Sequence, residues 1–323
     1  MDKKDLIPLI IIEGPTASGK SEFAFELAQV LESEIISADS RQIYRYMNIG
    51  TAKPSKHEIS TVPHHLINII DPDEEYSAGR YVNDASTIIS QIHQKKNSAS
   101  VKNKTALEQK VPIIAGGTGF YVQAVLEGLF EEPKVNETIR EELELFENDK
   151  GSEYLYNILL KVDSESAQKI HPNDSYRLKR ALEVWIATGK GISSHWKEQK
   201  RNESIYNPFR ILITEDRATL YNRINIRLEK MIEMGLIEEI QGLLNRGFKE
   251  TDPGLSSVGY KEFIPYITKS ASFFQCLEEA KKNSRKYAKR QLTWYRKIDY
   301  HLLLRRNGIN IDTILKRVKK HFE

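Results

Sequence analysis

Residues Leu6–Ser21 read LIPLIIIEGPTASGKS. The run Leu6–Ile12 is rich in β-branched residues and far too short to span a bilayer, so it is expected to be a buried strand. It leads into Gly14–Ser21, which fits the pattern G-x-x-x-x-G-K-[ST] in the required setting of strand, loop and helix. Glycines let such a loop curl until its N–H groups point at an anion, and a helix starting near Lys20 adds its positive end. Gly14, Pro15, Thr16, Ala17, Ser18, Gly19, Lys20 and Ser21 are therefore a candidate cradle for a phosphate or diphosphate. Lys20 supplies a mobile charge and the Ser21 hydroxyl is placed for a magnesium ion. The cradle does not name the reaction, because kinases, hydrolases and enzymes with a diphosphate leaving group all use one.

Further along, a helical pattern covers Lys20–Glu32, and Glu34–Ala38 (EIISA) is a second apolar run ending at Asp39. After an irregular stretch, Ser77–Gln94 reads as a helix capped by Ser77, and Val111–Ala115 as a third strand ending in Gly116-Gly117-Thr118-Gly119. The polar segment Asn97–Lys110 between them has no apolar period and reads as a surface insertion. From Glu131 to Tyr206 apolar residues recur only at helical spacing. Phe209–Ile213 is a fourth strand, followed by helical patterns over Leu220–Arg246 and Leu277–Lys297, a strand at His301–Leu304 and a short C-terminal helix. The expected fold is α/β: a P-loop NTPase-like parallel sheet with helices on both faces, interrupted by an all-helical insertion domain. The expected divisions are 1–130 for the first part of the core, 131–206 for the insertion and 207–323 for the rest of the core with its basic C-terminal helices. Asp39 would sit at the carboxyl end of a strand beside the loop, where open α/β sheets place their ligands. There it could cap a helix, contact magnesium through water, or take part in chemistry.

The composition, 40% hydrophobic and 29% charged, is that of a globular chain with a core, so disordered and membrane-spanning classes fall away. One cysteine, Cys276, allows no internal disulfide and suits a reducing, cytoplasmic setting. The net charge of +3 decides little, but Lys281–Lys297 holds eight Lys or Arg and no Asp or Glu. Lys282, Lys286 and Arg290 can form one cationic stripe there while Ala288, Leu292 and Tyr295 face a core. Such a helix is either a solvated face or an RNA-backbone contact, and Trp294 and Tyr295 are either packing or a stacking platform. Adjacent His64 and His65 lack a third ligand at metal spacing, so they are expected to support a loop over the donor pocket.

Several long blocks sharpen the reading: ISADSRQIYRYMNIGTAKPS, PHHLINIIDPDEEYSAGRYVNDA, PIIAGGTGFYVQAVLEGL, IHPNDSYRLKRALEVWIATGK, SVGYKEF and AKRQLTWYRK. Together with GPTASGKS they resemble the tRNA dimethylallyltransferase (tRNA isopentenyltransferase) family from about Leu6 to Lys297. The resemblance implies a P-loop core that binds dimethylallyl diphosphate and prenylates the exocyclic amine of the adenosine 3′ of the anticodon. It makes Asp39 the general base, with Lys20 and Arg227 as cations on the diphosphate. It assigns tRNA contacts to Asp39, Ser40, Arg41 and Gln42, to Thr118, to Arg140, and to Tyr176, Arg177, Leu178, Lys179 and Arg180. Ser256, Ser257, Val258, Gly259, Tyr260 and Lys261 would be a further tRNA-contacting stretch. The implied partners are the tRNA anticodon stem-loop and dimethylallyl diphosphate, with magnesium as cofactor, no membrane, and a monomeric enzyme. This chain departs from the family pattern in the length of Asn97–Lys110, in Ser284-Arg285 where Thr-Arg is usual, and in Ser256-Ser257 where relatives carry bulkier or basic residues.

The implied chemistry suits these residue types. An adenine amine is a weak nucleophile, so a carboxylate that accepts its proton helps the attack, while cations stabilise the departing diphosphate. The rival readings are a P-loop kinase of a nucleoside or small metabolite, and an RNA-binding protein with a regulatory nucleotide site. The kinase reading leaves the DSRQIY block and the basic C-terminal helix without a purpose, and the RNA-binding reading predicts tRNA binding without product.

Overall fold

The computed structural model describes residues 6–94, 110–129, 136–198, 204–308 and 310–323. The expected insertion at 97–110 lies outside the described residues except for Lys110. The chain divides into two compact units, residues 1–126 with 204–323, and residues 127–203.

The first unit opens with β1 (Ile7–Glu13), α1 (Lys20–Val30), β2 (Ile35–Ser37), α2 (Lys56–Thr61), β3 (His64–His65), α3 (Ala78–Gln94), β4 (Ile113–Gly116) and α4 (Gly119–Glu127). The second unit holds α5 (Glu137–Lys150), α6 (Ser152–Val162), α7 (Ser164–Lys169), α8 (Ser175–Thr188) and α9 (Ile192–Glu198). The first unit then resumes with β5 (Tyr206–Thr214), α10 (Arg217–Glu233), α11 (Leu236–Asn245), α12 (Ile264–Ile267), α13 (Phe273–Tyr295), β6 (Leu302–Arg305) and α14 (Ile311–Phe322).

Six strands form one sheet in the order β3-β2-β4-β1-β5-β6, and every pairing is parallel. β1 sits inside it, in register with β5 from Ile7↔Tyr206 to Glu13↔Leu212 and with β4 from Ile10↔Ile113 to Glu13↔Gly116. Successive strand side chains point to opposite faces. Ile10 and Ile12 pack with Phe23 and Leu27 of α1 and with Val318 and Phe322 of α14. Leu9 and Ile11 pack with Tyr81, Ala85 and Ile89 of α3 and Val122 of α4. Burial on both faces is why β1 reads as an unbroken apolar run, each aliphatic side chain contributing about 1.5–3 kcal/mol. Because all strands are parallel, the loops after β1, β2 and β4 leave from one edge, bringing Gly14–Gly19, Asp39 and Gly117–Thr118 together.

A separate apolar cluster in the same unit joins Ile43, Tyr44 and Met47 to Leu228 of α10, Leu236 and Ile240 of α11, and Tyr260, Phe263 and Cys276. The second unit has its own core, with Leu143, Leu155, Leu159, Leu178 and Leu182 among its buried members.

Four expectations are corrected. The pattern Leu220–Arg246 is two helices, because Gly235 adopts φ 100° between α10 and α11, a left-handed turn that glycine tolerates. The expected helical stretch 131–206 gives way to strand at Tyr206, which opens β5. The stretch after Asp39 contains α2 and β3, elements too short for a hydrophobic period to reveal. His64 and His65 are that edge strand and form no pocket loop: β3 pairs with β2, His65 Nε2 lies 2.8 Å from Glu34 Oε2, and His64 Nδ1 lies 2.7 Å from the Val62 carbonyl. Ser77 does cap α3, its Oγ accepting from the Arg80 N–H at 3.1 Å.

Candidate active site

The glycine loop is held from three sides. Gly14 lies so close to β5 that an added Cβ would stand 2.2 Å from the Ile213 carbonyl oxygen, which leaves room for glycine alone. Gly19, at φ 94°, is the N-cap of α1 and supplies no side chain to its first turn, so the helix N–H groups there remain open to an anion. From the far end of the sequence, α13 braces the loop. Gln291 Oε1 accepts from the Thr16 N–H at 2.9 Å while its Nε2 donates to the Gly117 carbonyl at 2.9 Å. The Tyr295 hydroxyl donates to the carbonyls of Gly117 and Gly14, at 3.1 and 3.3 Å.

Beside the loop lies a cavity of about 340 Å³. Thr16, Lys20 and Ser21 line one part of it, with Arg227 and the apolar Ile224, Leu228 and Met231 of α10. Asp39, Arg41 and Gln42 line another part, together with Gly50, Thr51 and Ala52. Ser256, Val258, Gly259 and Lys261 come from the segment before α12, and Ser284, Tyr287, Arg290 and Gln291 from α13. Burial pulls the Lys20 amine down to about 8, with Asp39 opposing the shift and Arg227 adding to it. Burial also lowers Arg227, again opposed by Asp39, and the Arg227 Nη1 donates to Thr16 Oγ1 at 3.5 Å. Tyr287 is raised, first by burial and then by the Asp39 charge, so it stays a neutral phenol. Two cations and a carboxylate thus share one half-buried space, where charge–charge effects are stronger than in open solvent.

Asp39 Oδ1 accepts from the Arg41 N–H at 2.9 Å, which turns the loop so that the carboxylate lines the cavity. Thr118 is a brace: its Oγ1 accepts from the Ser40 N–H at 3.1 Å and its N–H donates to the Ala38 carbonyl at 3.0 Å. Arg41 Nη1 donates to the Pro253 carbonyl at 3.0 Å, tying the β2 loop to the segment before Ser256.

Several sequence assignments move. Tyr260 and Ser257 are buried and do not line the cavity, because the aromatic ring belongs to the apolar cluster around α11. Leu178 is a core residue of the second unit. In that unit Tyr176 is 78% exposed, while the cations are paired: Arg177 with Asp174 at 2.7 Å, Lys179 with Glu147 at 3.0 Å, and Arg180 and Arg140 with Glu183 at 2.8 and 3.6 Å. Tyr295 is buried as packing, and Trp294 presses its indole against Gly119, where an added Cβ would meet Nε1 at 2.1 Å. The buried Tyr295 ring is not a stacking platform. Lys282, Lys286 and Arg290 are all exposed on α13, and Arg290 also lines the cavity.

Sequence reasoning missed the turn Gly50–Ala52, the apolar residues of α10, and Ser284, Tyr287 and Gln291 of α13. The last three recur at helical spacing, a signal overshadowed by the surrounding cations.

Among the described residues no three His, Cys, Asp or Glu side chains stand close enough to hold a metal ion on their own. The Ser21 hydroxyl that lines the cavity is a hard oxygen donor, suited to a magnesium ion that takes its remaining ligands from a diphosphate and water.

Known proteins resemble this chain over most of its length. The family "IPP transferase" matches residues 42–298, and "Isopentenyl transferase" matches residues 7–70. The tRNA dimethylallyltransferase of Alkaliphilus oremlandii is 41% identical over 320 residues, covering 97% of this chain and 98% of that protein. That of Geobacter sulfurreducens is 41% identical over 289 residues, covering 90% and 89%. Among solved structures, the full-length tRNA isopentenylpyrophosphate transferase of Bacillus halodurans superposes with TM-score 0.68 at 36% identity, covering 97% of this chain and 94% of that one. A eukaryotic dimethylallyltransferase described as acting on tRNA gives TM-score 0.76 at 30% identity, covering 92% of this chain and 73% of that one.

Proposed function

The chain belongs to the tRNA dimethylallyltransferase family, and we propose that it transfers a dimethylallyl group from dimethylallyl diphosphate to N6 of the adenosine 3′ of the anticodon in tRNA, releasing diphosphate. The observation that carries this reading is the convergence of Lys20, Arg227 and Asp39 on one cavity with apolar side chains from α10. The first two suit the diphosphate, the carboxylate suits a proton from a nucleobase amine, and Ile224, Leu228 and Met231 suit a branched five-carbon tail.

In the reaction, the N6 lone pair forms a bond to the first carbon of the dimethylallyl group as the bond from that carbon to the diphosphate oxygen breaks. The electron pair leaves with diphosphate, and the N6 proton passes to the Asp39 carboxylate. Lys20, Arg227 and the open N–H groups at the start of α1 face the oxygens that gain charge. Ser21 would help to hold a magnesium ion, which when bound would neutralise part of that charge. The apolar side chains of α10 keep water from the allylic centre. An adenine stacked in an anticodon loop cannot reach such a cavity in place, so it enters flipped out. A monomeric, cytoplasmic enzyme fits this reading.

The test is transfer from labelled dimethylallyl diphosphate to an unmodified anticodon stem-loop with magnesium present, beside a parallel reaction with ATP and nucleoside acceptors. Label on the stem-loop adenosine is expected. Phosphate transfer in its place would establish the kinase reading.

A further inference from the structure

Glu239, on α11, binds backbone that lies 189 residues or more before it in the chain. Its carboxylate accepts from the N–H groups of Asn48 at 2.8 Å, Ile49 at 2.9 Å and Gly50 at 3.2 Å. It also accepts from the Tyr260 hydroxyl at 2.6 Å. Three successive backbone donors on one carboxylate make a charge-assisted clasp, stronger than the same number of neutral hydrogen bonds. Tyr260 completes it from below: a Cβ on Gly50 would lie 2.4 Å from the Tyr260 ring, so only glycine lets the turn settle there.

The clasped turn continues into Thr51 and Ala52, which line the cavity with Gly50. It is joined to the Asp39 loop by Gln42, whose Nε2 donates to the carbonyls of Ala52 and Thr51 at 3.2 and 3.4 Å, while its Oε1 accepts from Ser37 Oγ at 3.0 Å. Asp39, Gln42 and the turn are therefore one continuous stretch of the cavity lining, built from different segments than the glycine loop and Arg227 that suit the diphosphate. None of Gly50, Thr51 and Ala52 carries a charge or a long side chain, as befits a wall against which a flat base packs.

We propose that Glu239 is a positioning residue for the acceptor: by clasping the 48–50 turn, it sets the wall that receives the flipped nucleobase beside Asp39, without touching the base. The proposal rests on the transferase reading above and adds to it a residue that acts on one substrate only. Its signature is a split between the two substrates. Removing the clasp weakens binding of the stem-loop and leaves the donor alone, whereas general unfolding harms both.

The experiment measures steady-state transfer and, independently of turnover, stem-loop affinity by fluorescence anisotropy for the wild type, Glu239→Gln, Tyr260→Phe and the exposed neighbour Glu238→Gln. For Glu239→Gln, KM and Kd for the stem-loop should rise about tenfold with donor KM changed less than about twofold. Tyr260→Phe, which keeps the three backbone bonds, should show a smaller rise of the same kind, and Glu238→Gln none. Equal weakening toward both substrates, donor weakening alone, or unchanged stem-loop affinity in a folded Glu239→Gln protein would each overturn the proposal. If Glu239→Gln fails to fold, Tyr260→Phe decides it by the same split. A wild type that binds the stem-loop but makes no product would instead remove the transferase reading beneath it.

Discussion

At the scale of single residues, the site turns on Asp39 and Lys20. Asp39→Asn keeps size and the Arg41 turn yet cannot take a proton, so single-turnover transfer should fall at least about 10²-fold while donor affinity holds. Near-full single-turnover rates in that variant would show that another group accepts the proton. The Lys20 amine, lowered to about 8 by burial, loses its charge as pH rises through that value. Since an anionic donor binds the charged form, donor KM should climb above pH about 8 by up to about tenfold per unit, measured as donor KM between pH 7 and 9.5. A flat profile there would mean that the lysine stays charged in the free enzyme. How far residues could be read in advance followed from locality. Gly14–Ser21 is one contiguous loop whose chemistry is written in its order. Tyr260 and Leu178 lie in conspicuous blocks, but an aromatic or leucine in such a block can serve the core as easily as a ligand, and burial is settled only by distant partners.

At the scale of elements, the strands were legible because a buried parallel strand is an apolar run closed by glycine or aspartate, as at Ile7–Glu13 and Ile35–Ser37. α2 and β3 were not, since six and two residues hold less than two turns or a single alternation. Gly235 was hidden inside a helical period that continues in phase on both sides of it. α13 shows how one helix serves two purposes: Ala288 and Tyr295 are packed, Ser284, Tyr287 and Gln291 face the cavity, and Lys286 and Lys289 are exposed. Its packing against the turn after β4 is close enough to test. Gly119→Ala would drive a methyl into the Trp294 indole, and the overpacking should cost about 1–3 kcal/mol, read as a lower midpoint in denaturant. Trp294→Phe in the same background should recover part of it by making room, and no recovery would place the strain elsewhere.

At the scale of the whole molecule, net charge is a poor guide to where an RNA backbone would rest. In the second unit, Arg140, Arg177, Lys179 and Arg180 are engaged with carboxylates, and on α13 Lys281 and Lys282 pair with Glu229 and Glu279 at 2.7 and 2.9 Å. Lys286 and Lys289 stand exposed on α13 and are the better candidates for phosphates. Reversing both to Glu should lower stem-loop affinity about tenfold or more in low salt and flatten the log–log salt dependence by about 0.7 for each phosphate no longer neutralised. An unaltered slope would move the backbone-binding surface elsewhere on the protein. The bracing of the glycine loop by Gln291 and Tyr295 reaches further than catalysis. During synthesis the phosphate motif leaves the ribosome well before the side chains that steady it, which arrive more than 270 residues later. A nascent chain therefore carries the complete phosphate motif and only an unsteadied form of its cradle, and ligand affinity at this site becomes a reporter of finished folding rather than of sequence translated.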